Sequence, residues 1–543
     1  LKKFNQTFAV KHRLLLFFIS FLFMLSFMDC AKKGTPDGGA RDTIPPVIVR
    51  SIPENYSTNF SGDEIEIRFD EYIKLKDVNR ELIISPPLKY TPVITPLNTS
   101  RILKIKILDT LKPNTTYSFN FGNSIVDNNE ENKFEYFKYV FSTGSYIDSL
   151  KLSGRVRDAE LVAPEIPTTV LLYEANETFT DSLIYSEKPT YITVTKDSTG
   201  TFEFSNLKEG QYLLLALKEK NSDYIFQPQN DKIGFVSDFV TLPTDSTYTV
   251  TLFKELPEYS LARPKQEAKN HMTFGYYGPE DSLAVEVLST VPPDFESRTY
   301  NERNKDTLHY WYKPPIETDS ITFKVTSRNQ IDTTTIRMRE LYADSLKFGS
   351  LGSASIKLND TIKLSANTPL VSVNAEKVEV MAKDSTFISA EIKIDSKYNT
   401  ANIFFPKRED QSYSVRLYPG AITDFFGKEN DTLKYSLATK SASDYGTMAL
   451  TLNNVNRFPI IVQLTNSKYE VVAEKYLTEN QNILFEALNP DKYYLRIIYD
   501  DNGNGRWDTG NFLNRLSPER IIYYPKQIEV RANWSLNETF TLK

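Results

Sequence analysis

The sequence predicts an all-β protein, a set of tandem β-sandwich units in a row behind an N-terminal export segment. Three observations predict it. Aromatic residues make up 13% of the 543 residues, with 32 Tyr and 34 Phe, a composition that suits pleated, half-buried surfaces. Short stretches alternate polar and apolar residues and are separated by Gly, Pro and Asn turns, the pattern of strands in sandwiches. Two sets of these stretches recur later in the chain. At about 100–200 residues per domain, the length allows three to five domains. No long helical periodicity interrupts the pattern after the N-terminus.

The first segment, residues 1–29, reads as a lipoprotein signal peptide. Lys2, Lys3, Lys11, His12 and Arg13 precede LLLFFISFLFMLSFM at 14–28. This apolar run is short for a membrane span and suits the apolar core of a signal peptide. Cys30, the one cysteine of the chain, follows at once. A single Cys excludes an intramolecular disulfide and a Cys-rich zinc site. In lipoprotein signals this thiol carries acyl chains, each buried CH₂ contributing about 0.8 kcal/mol, so two or three chains anchor stably. Asp29 stands where a small residue usually precedes the Cys. The other readings are an uncleaved anchor helix, or cleavage elsewhere with Cys30 left free. Residues 30–45 are rich in Gly, Pro and polar residues and read as a flexible tether. The run CAKKGTPDGG followed by DTIPP resembles the start of Ig-like lipoproteins of the Bacteroidetes group. That resemblance implies an outer-membrane, lipid-anchored protein facing the periplasm or the cell surface.

The first folded unit is expected over 46–145. EIEIRF at 64–69, ILKIKIL at 102–108 and YSFNF at 117–121 alternate, LKPNT at 111–115 is a turn, and KYVFSTG at 138–144 closes the unit. The order SIPEN at 51–55, RFDE at 68–71, Leu111-Lys112-Pro113 with Tyr117, Ile125-Val126-Asp127 and Phe141-Ser142-Thr143-Gly144 resembles the bacterial Ig-like domain of S-layer proteins. A different unit is expected over 150–255. Gly154-Arg155-Val156, Gly200-Thr201-Phe202-Glu203-Phe204 and Leu207-Lys208-Glu209-Gly210-Gln211-Tyr212 resemble the transthyretin-like, carboxypeptidase-regulatory sandwich. Its glycines would serve turns at positive φ, with Tyr212 in the core. Residues 256–270 read as a linker, and 271–347 as a β-sandwich of unassigned type.

The repeat follows. Tyr413 to Leu417, Ala421-Ile422-Thr423-Asp424 and Tyr435 to Thr439 echo Tyr117 to Phe121, Ser124 to Asp127 and Tyr139 to Thr143. This predicts a second Ig-like unit over 350–441. Phe485 to Leu495 parallels Phe204 to Leu214, which predicts a second transthyretin-like unit over 445–543.

Chemistry-bearing motifs are few. Asp500, Asn502 and Asn504, with Gly505 sixth and Asp508 ninth, match the opening of a calcium loop. The set expected to hold Ca²⁺ is Asp500, Asn502, Asn504, Asp508 and the Arg506 carbonyl. Position twelve is Asn511 where an EF-hand has Glu, and the flanks read as strands. The alternative is a metal-free turn held by Asx-type hydrogen bonds. Beyond this, no cofactor is expected. Of three histidines, His12 lies in the signal, His271 in the linker and His309 beside Tyr310-Trp311-Tyr312. None carries a nucleophile-elbow or other catalytic signature, two cannot make a His-rich zinc site, and no phosphate loop is present. Acid pairs such as Asp70-Glu71 read as solvated surface. No catalytic residue is assigned, and a non-enzymatic protein is expected. Tyr310, Trp311 and Tyr312 could form a sugar-stacking platform, or simply a strand with core and rim aromatics. Trp534 reads as packing. A net charge of −6 without a basic block after the N-terminus argues against nucleic acid.

The functional expectation is an exported lipoprotein serving as a structural, adhesion or protein-interaction module. The alternative is a carbohydrate-binding lipoprotein of a glycan-uptake system. Its partners would be the membrane, through Cys30, and other envelope proteins or glycans.

Overall fold

The computed structural model describes residues 42–195, 197–278, 283–328, 330–349 and 353–542. The signal segment, Cys30 and most of the tether lie outside the described residues. The described chain is all-β, and its sheets fall into five consecutive groups between which no strand pairs. We call these units one to five, at 48–142, 150–252, 260–337, 355–439 and 446–541.

Unit one packs a sheet of Ile48–Ile52, Glu64–Leu75, Thr99–Lys106 and Val93–Thr95 against one of Ile83–Ser85, Thr116–Asn120 and Lys138–Ser142. Alternation sets the register. Ile65 faces Ile105 and Ile67 faces Leu103, so one face of the pair is apolar and meets Phe119, Tyr139 and Phe141 in the core.

Units two and five share one topology. In each, a five-stranded sheet faces a three-stranded one whose first and last strands run parallel: Leu150–Asp158 with Thr247–Leu252, and Gly446–Asn453 with Ser535–Thr541. Gly154 works differently from the expected turn. A Cβ there would stand 2.4 Å from both the Phe202 ring and the Tyr248 carbonyl, so glycine permits close packing. Gly200, at φ 77°, does serve a turn.

The sequence repeats reappear as side-chain hydrogen bonds. In units one and four, the hydroxyls of Tyr117 and Tyr413 accept the N–H of Lys112 and Arg408. Thr143 and Thr439 likewise accept the N–H of Thr115 and Gln411. In units two and five, Tyr212 and Tyr493 donate to the carbonyls of Lys208 and Asn489.

The expected linker at 256–270 is not free of strands. Ser260–Leu261 and Lys265–Ala268 both pair with His271–Tyr277, so His271 lies on a strand. Strands of two and four residues are too short to show a period in the sequence. Nor do the units form a simple row. Unit five docks on unit two, more than 200 residues earlier.

Candidate functional site

The chemistry-bearing residues gather at two joints between units. The first joins units three and four. His271–Tyr277, Thr307–Lys313 and Glu296–Asn301 are neighbouring strands, and their registers place His271 opposite Trp311 and His309 opposite Tyr300. Side chains alternate across a sheet. Met272, Tyr310 and Tyr312 therefore enter the core of unit three, while His271, His309, Tyr300 and Trp311 share the opposite face. There the rings line up in one array, in which Trp311 stacks on His271, Tyr300 stacks on His309 and the two imidazoles meet edge to edge. Trp311 lies 3.9 Å from His271, His271 5.0 Å from His309, and His309 4.6 Å from Tyr300, with interplanar angles of 8–18°.

Unit four covers this array at both ends. Phe426 meets Trp311 edge-on at 5.9 Å, and the Tyr300 hydroxyl donates to the Asn367 carbonyl at 2.9 Å. Phe425 packs with Tyr300 and Trp311, under the cations of Lys313 and Arg298, and Lys313 donates to its carbonyl at 2.9 Å. Tyr310, Trp311 and Tyr312 are each 1% exposed, so none offers a platform to a sugar. Two point into the core, and the protein's own His271 and Phe426 cover the third.

The histidines are held neutral. Burial, then the neighbouring His309, lowers His271 to about 3. Burial also lowers His309, against the pull of Glu302. His271 Nε2 and His309 Nδ1 are 2.8 Å apart, and His309 Nε2 faces Glu302 at 3.4 Å. With His309 donating from Nε2 to the carboxylate, its Nδ1 accepts from His271. The Nδ1 of His271 then carries a lone pair, consistent with its being buried without a partner.

The second joint is the loop after Asp491–Tyr499. Asp500 is 2% exposed and accepts the N–H groups of Gly503, Asn504 and Gly505 at 2.8–3.1 Å. The Asn502 and Asn504 side chains donate to Asp508, and the Asn504 side chain accepts from the Arg506 N–H. The sequence reading missed Glu519. Its carboxylate accepts the N–H of Asp501 and Asp508 at 2.7 and 2.9 Å. Burial, with Asp508 and Asp500 nearby, raises its carboxyl. It stands eleven residues beyond Asp508, outside any EF-hand spacing. Among the described residues, no group of three or more His, Cys, Asp or Glu is placed to hold a metal.

The far side of this loop grips unit two. Phe512, fully buried, meets Phe235 at 5.5 Å within an apolar cluster containing Leu171, Leu213, Leu215 and Phe253. Its N–H donates to the buried carboxylate of Glu255, which burial pushes up. Thr509 donates to the Lys254 carbonyl at 2.6 Å, Arg515 pairs with Asp181, and Tyr523 donates to the Glu160 carbonyl. The sequence signal was two aromatics, Trp507 and Phe512, inside a Gly/Asn/Asp turn.

Elsewhere, Asp70 is exposed and caps the Val47 N–H, as expected of surface. Trp534 is 52% exposed beneath the Arg531 guanidinium at 5.0 Å, so it is not packed inside: it precedes an outer strand whose alternate residues face solvent. A cleft of about 660 Å³ between units four and five is lined by Asp360, Glu409, Lys440, Tyr445, Lys475 and Glu486. No helix among the described residues is long and apolar enough to cross a membrane.

With this geometry in place, comparisons with known proteins bear on unit one. Residues 42–143 match the family described as "Bacterial Ig-like domain". Unit one is similar to that family over its whole length. The match does not extend to the other four units. The chain is similar to surface layer protein SbsC, domains 1–6, at 12% identity over 90% of this chain and 67% of that one, with a TM-score of 0.15. It is similar to SGBP-B of the Bacteroides ovatus mixed-linkage glucan utilization locus at 12% identity over 70% and 94%, TM-score 0.18. It is also similar to BcpA, the major pilin subunit of Bacillus cereus, at 10% identity over 73% and 99%, TM-score 0.14. TM-scores this low carry no argument about function. No curated protein matches.

Proposed function

We propose that the protein is a non-enzymatic lipoprotein of the cell envelope, held at the outer membrane by acyl chains on Cys30 and acting as a structural, adhesion or protein-interaction module. The observation that carries this reading is where the chemistry-bearing side chains are used. His271, Trp311, Phe512 and Glu255 are buried and His309 is half-buried between units, and they bind the chain to itself. Unit one, similar to the bacterial Ig-like family, stands nearest the proposed anchor. Units two and five as transthyretin-like domains, and unit four as a second Ig-like domain, belong to the same proposal, supported by the repeated Tyr and Thr hydrogen bonds. The carbohydrate-binding alternative loses its stacking residues to the joint between units three and four.

Metabolic labelling with a clickable fatty acid tests the anchor. Label on the full chain, abolished by Cys30→Ala, is the expected result; no label, or label that survives the substitution, refutes it. The Asp500 loop is proposed to bind Ca²⁺ weakly through Asp500, Asn502, Asn504, Asp508 and the Arg506 carbonyl. The alternation of oxygen-bearing side chains at Asp500, Asn502 and Asn504, with Gly505 sixth and Asp508 ninth, supports this. Such an ion would stiffen the loop that grips unit two.

A further inference from the structure

We propose that the ring array Tyr300–His309–His271–Trp311 makes the joint between units three and four a proton-sensitive hinge, closed at neutral pH and loosened by acid. In the neutral array one hydrogen lies between His271 Nε2 and His309 Nδ1, across 2.8 Å. A first added proton is tolerated at a cost. A cationic His309 gains from the face of Tyr300 and from Glu302. To keep the bond between the rings, however, His271 must move its hydrogen to Nδ1, where no acceptor is present. A buried N–H without a partner keeps its full desolvation penalty. A second proton puts two N–H groups head to head in the same gap and two like charges in a buried array. That state requires the rings to part.

The ring array couples this event to unit four because both of its ends are fastened there, Trp311 by Phe426 and Tyr300 by Asn367. The titratable and charged surroundings favour one charge, on His309, and offer nothing to a second on His271. Glu302 and Glu267 attract a charge on His309, while Lys305 repels it. Arg303 and Lys363, one from each unit, line the cleft beside His309, and Asp344 acts on Tyr300. Arg298 and Lys313 already occupy the faces of Phe425. On His271, besides burial, the neighbour that acts is His309. Cations thus stand on both sides of the cleft beside His309, and no carboxylate acts on His271.

Trp311 is the reporter. In the full chain carrying Trp507→Phe and Trp534→Phe, acrylamide quenching of Trp311 is measured from pH 7.5 to 5.0, with far-UV circular dichroism alongside. Quenching is expected to rise at least threefold on acidification, to reverse on return to neutral pH, and to leave the dichroism unchanged. The same chain with His271→Phe and His309→Gln should quench equally at both ends of the range. If that double variant does not fold, His309→Gln alone leaves one titrating ring, and the rise should move to lower pH. Quenching that does not change with pH in the parent overturns the proposal. So does a rise accompanied by loss of dichroism, an equal rise in the double variant, or an unshifted rise in His309→Gln.

Discussion

Replacing Phe512 by Ala should uncouple units two and five while leaving each folded. The Phe512 side chain is fully buried, against Phe235 and Phe253 of unit two. A buried Phe removes about 150–250 Å² from water, and at about 25 cal/mol per Å² this contributes roughly 4–6 kcal/mol. Ala retains only the Cβ share and leaves a gap, so the expected loss is about 3–5 kcal/mol. The polar ties at the joint are smaller. The Thr509 bond to Lys254 is worth about 1 kcal/mol, and the Arg515 pair with Asp181, part-exposed, about 0–1 kcal/mol. Phe512 therefore outweighs any one of them. It is a contact between units, so its loss should not lower the stability of either core by itself. Differential scanning calorimetry of the full chain, with hydrogen exchange at 169–174 and 213–217, checks this. Separate transitions for the two units, and faster exchange on the outer face of unit two, are expected in Phe512→Ala, with little change in Thr509→Val. A single transition at the wild-type temperature would mean that the docking does not rest on this ring.

Glu255→Gln should firm the same joint at pH 7. Burial raises the Glu255 carboxyl in the folded protein, so over the window from its raised value down to the ordinary ~4.3 the native state binds more protons than the unfolded one. Its stability then rises as pH falls. Gln removes that dependence while its Oε1 still accepts the Phe512 N–H, so melting curves between about pH 5 and 7 should flatten and shift upward at pH 7. Gly154→Ala, placing a methyl 2.4 Å from the Phe202 ring and the Tyr248 carbonyl, should cost about 1–3 kcal/mol or more, read as a lower urea midpoint for unit two. Calorimetric titration of the full chain with Ca²⁺ should give a binding heat and a higher melting temperature, both lost in Asp508→Asn; with no heat, the loop is a hydrogen-bonded turn alone.

The Tyr310-Trp311-Tyr312 run shows how far local pattern reaches. Alternation alone says that 310 and 312 share one face and 311 the other, and so it separated core from rim. It could not say that Phe426, more than a hundred residues later, would cover the rim. Likewise the spacing from Asp500 to Asp508 marked a turn with converging oxygens, but Glu519 braces that turn from outside its spacing. His271 was misplaced because Lys265–Ala268, only four residues long, shows no readable period.

The sequence by itself determined the strands and their turns: period-two alternation, turn residues, and the Tyr and Thr that recur in units one and four and in units two and five. Each of these is fixed by interactions within a few residues or across a hairpin. Only the tertiary structure decided which outer faces are buried, which rings become a joint, and that unit five returns to unit two. Those outcomes depend on apolar faces finding cover from parts of the chain hundreds of residues away, and a one-dimensional pattern shows that a face needs burial without showing what buries it.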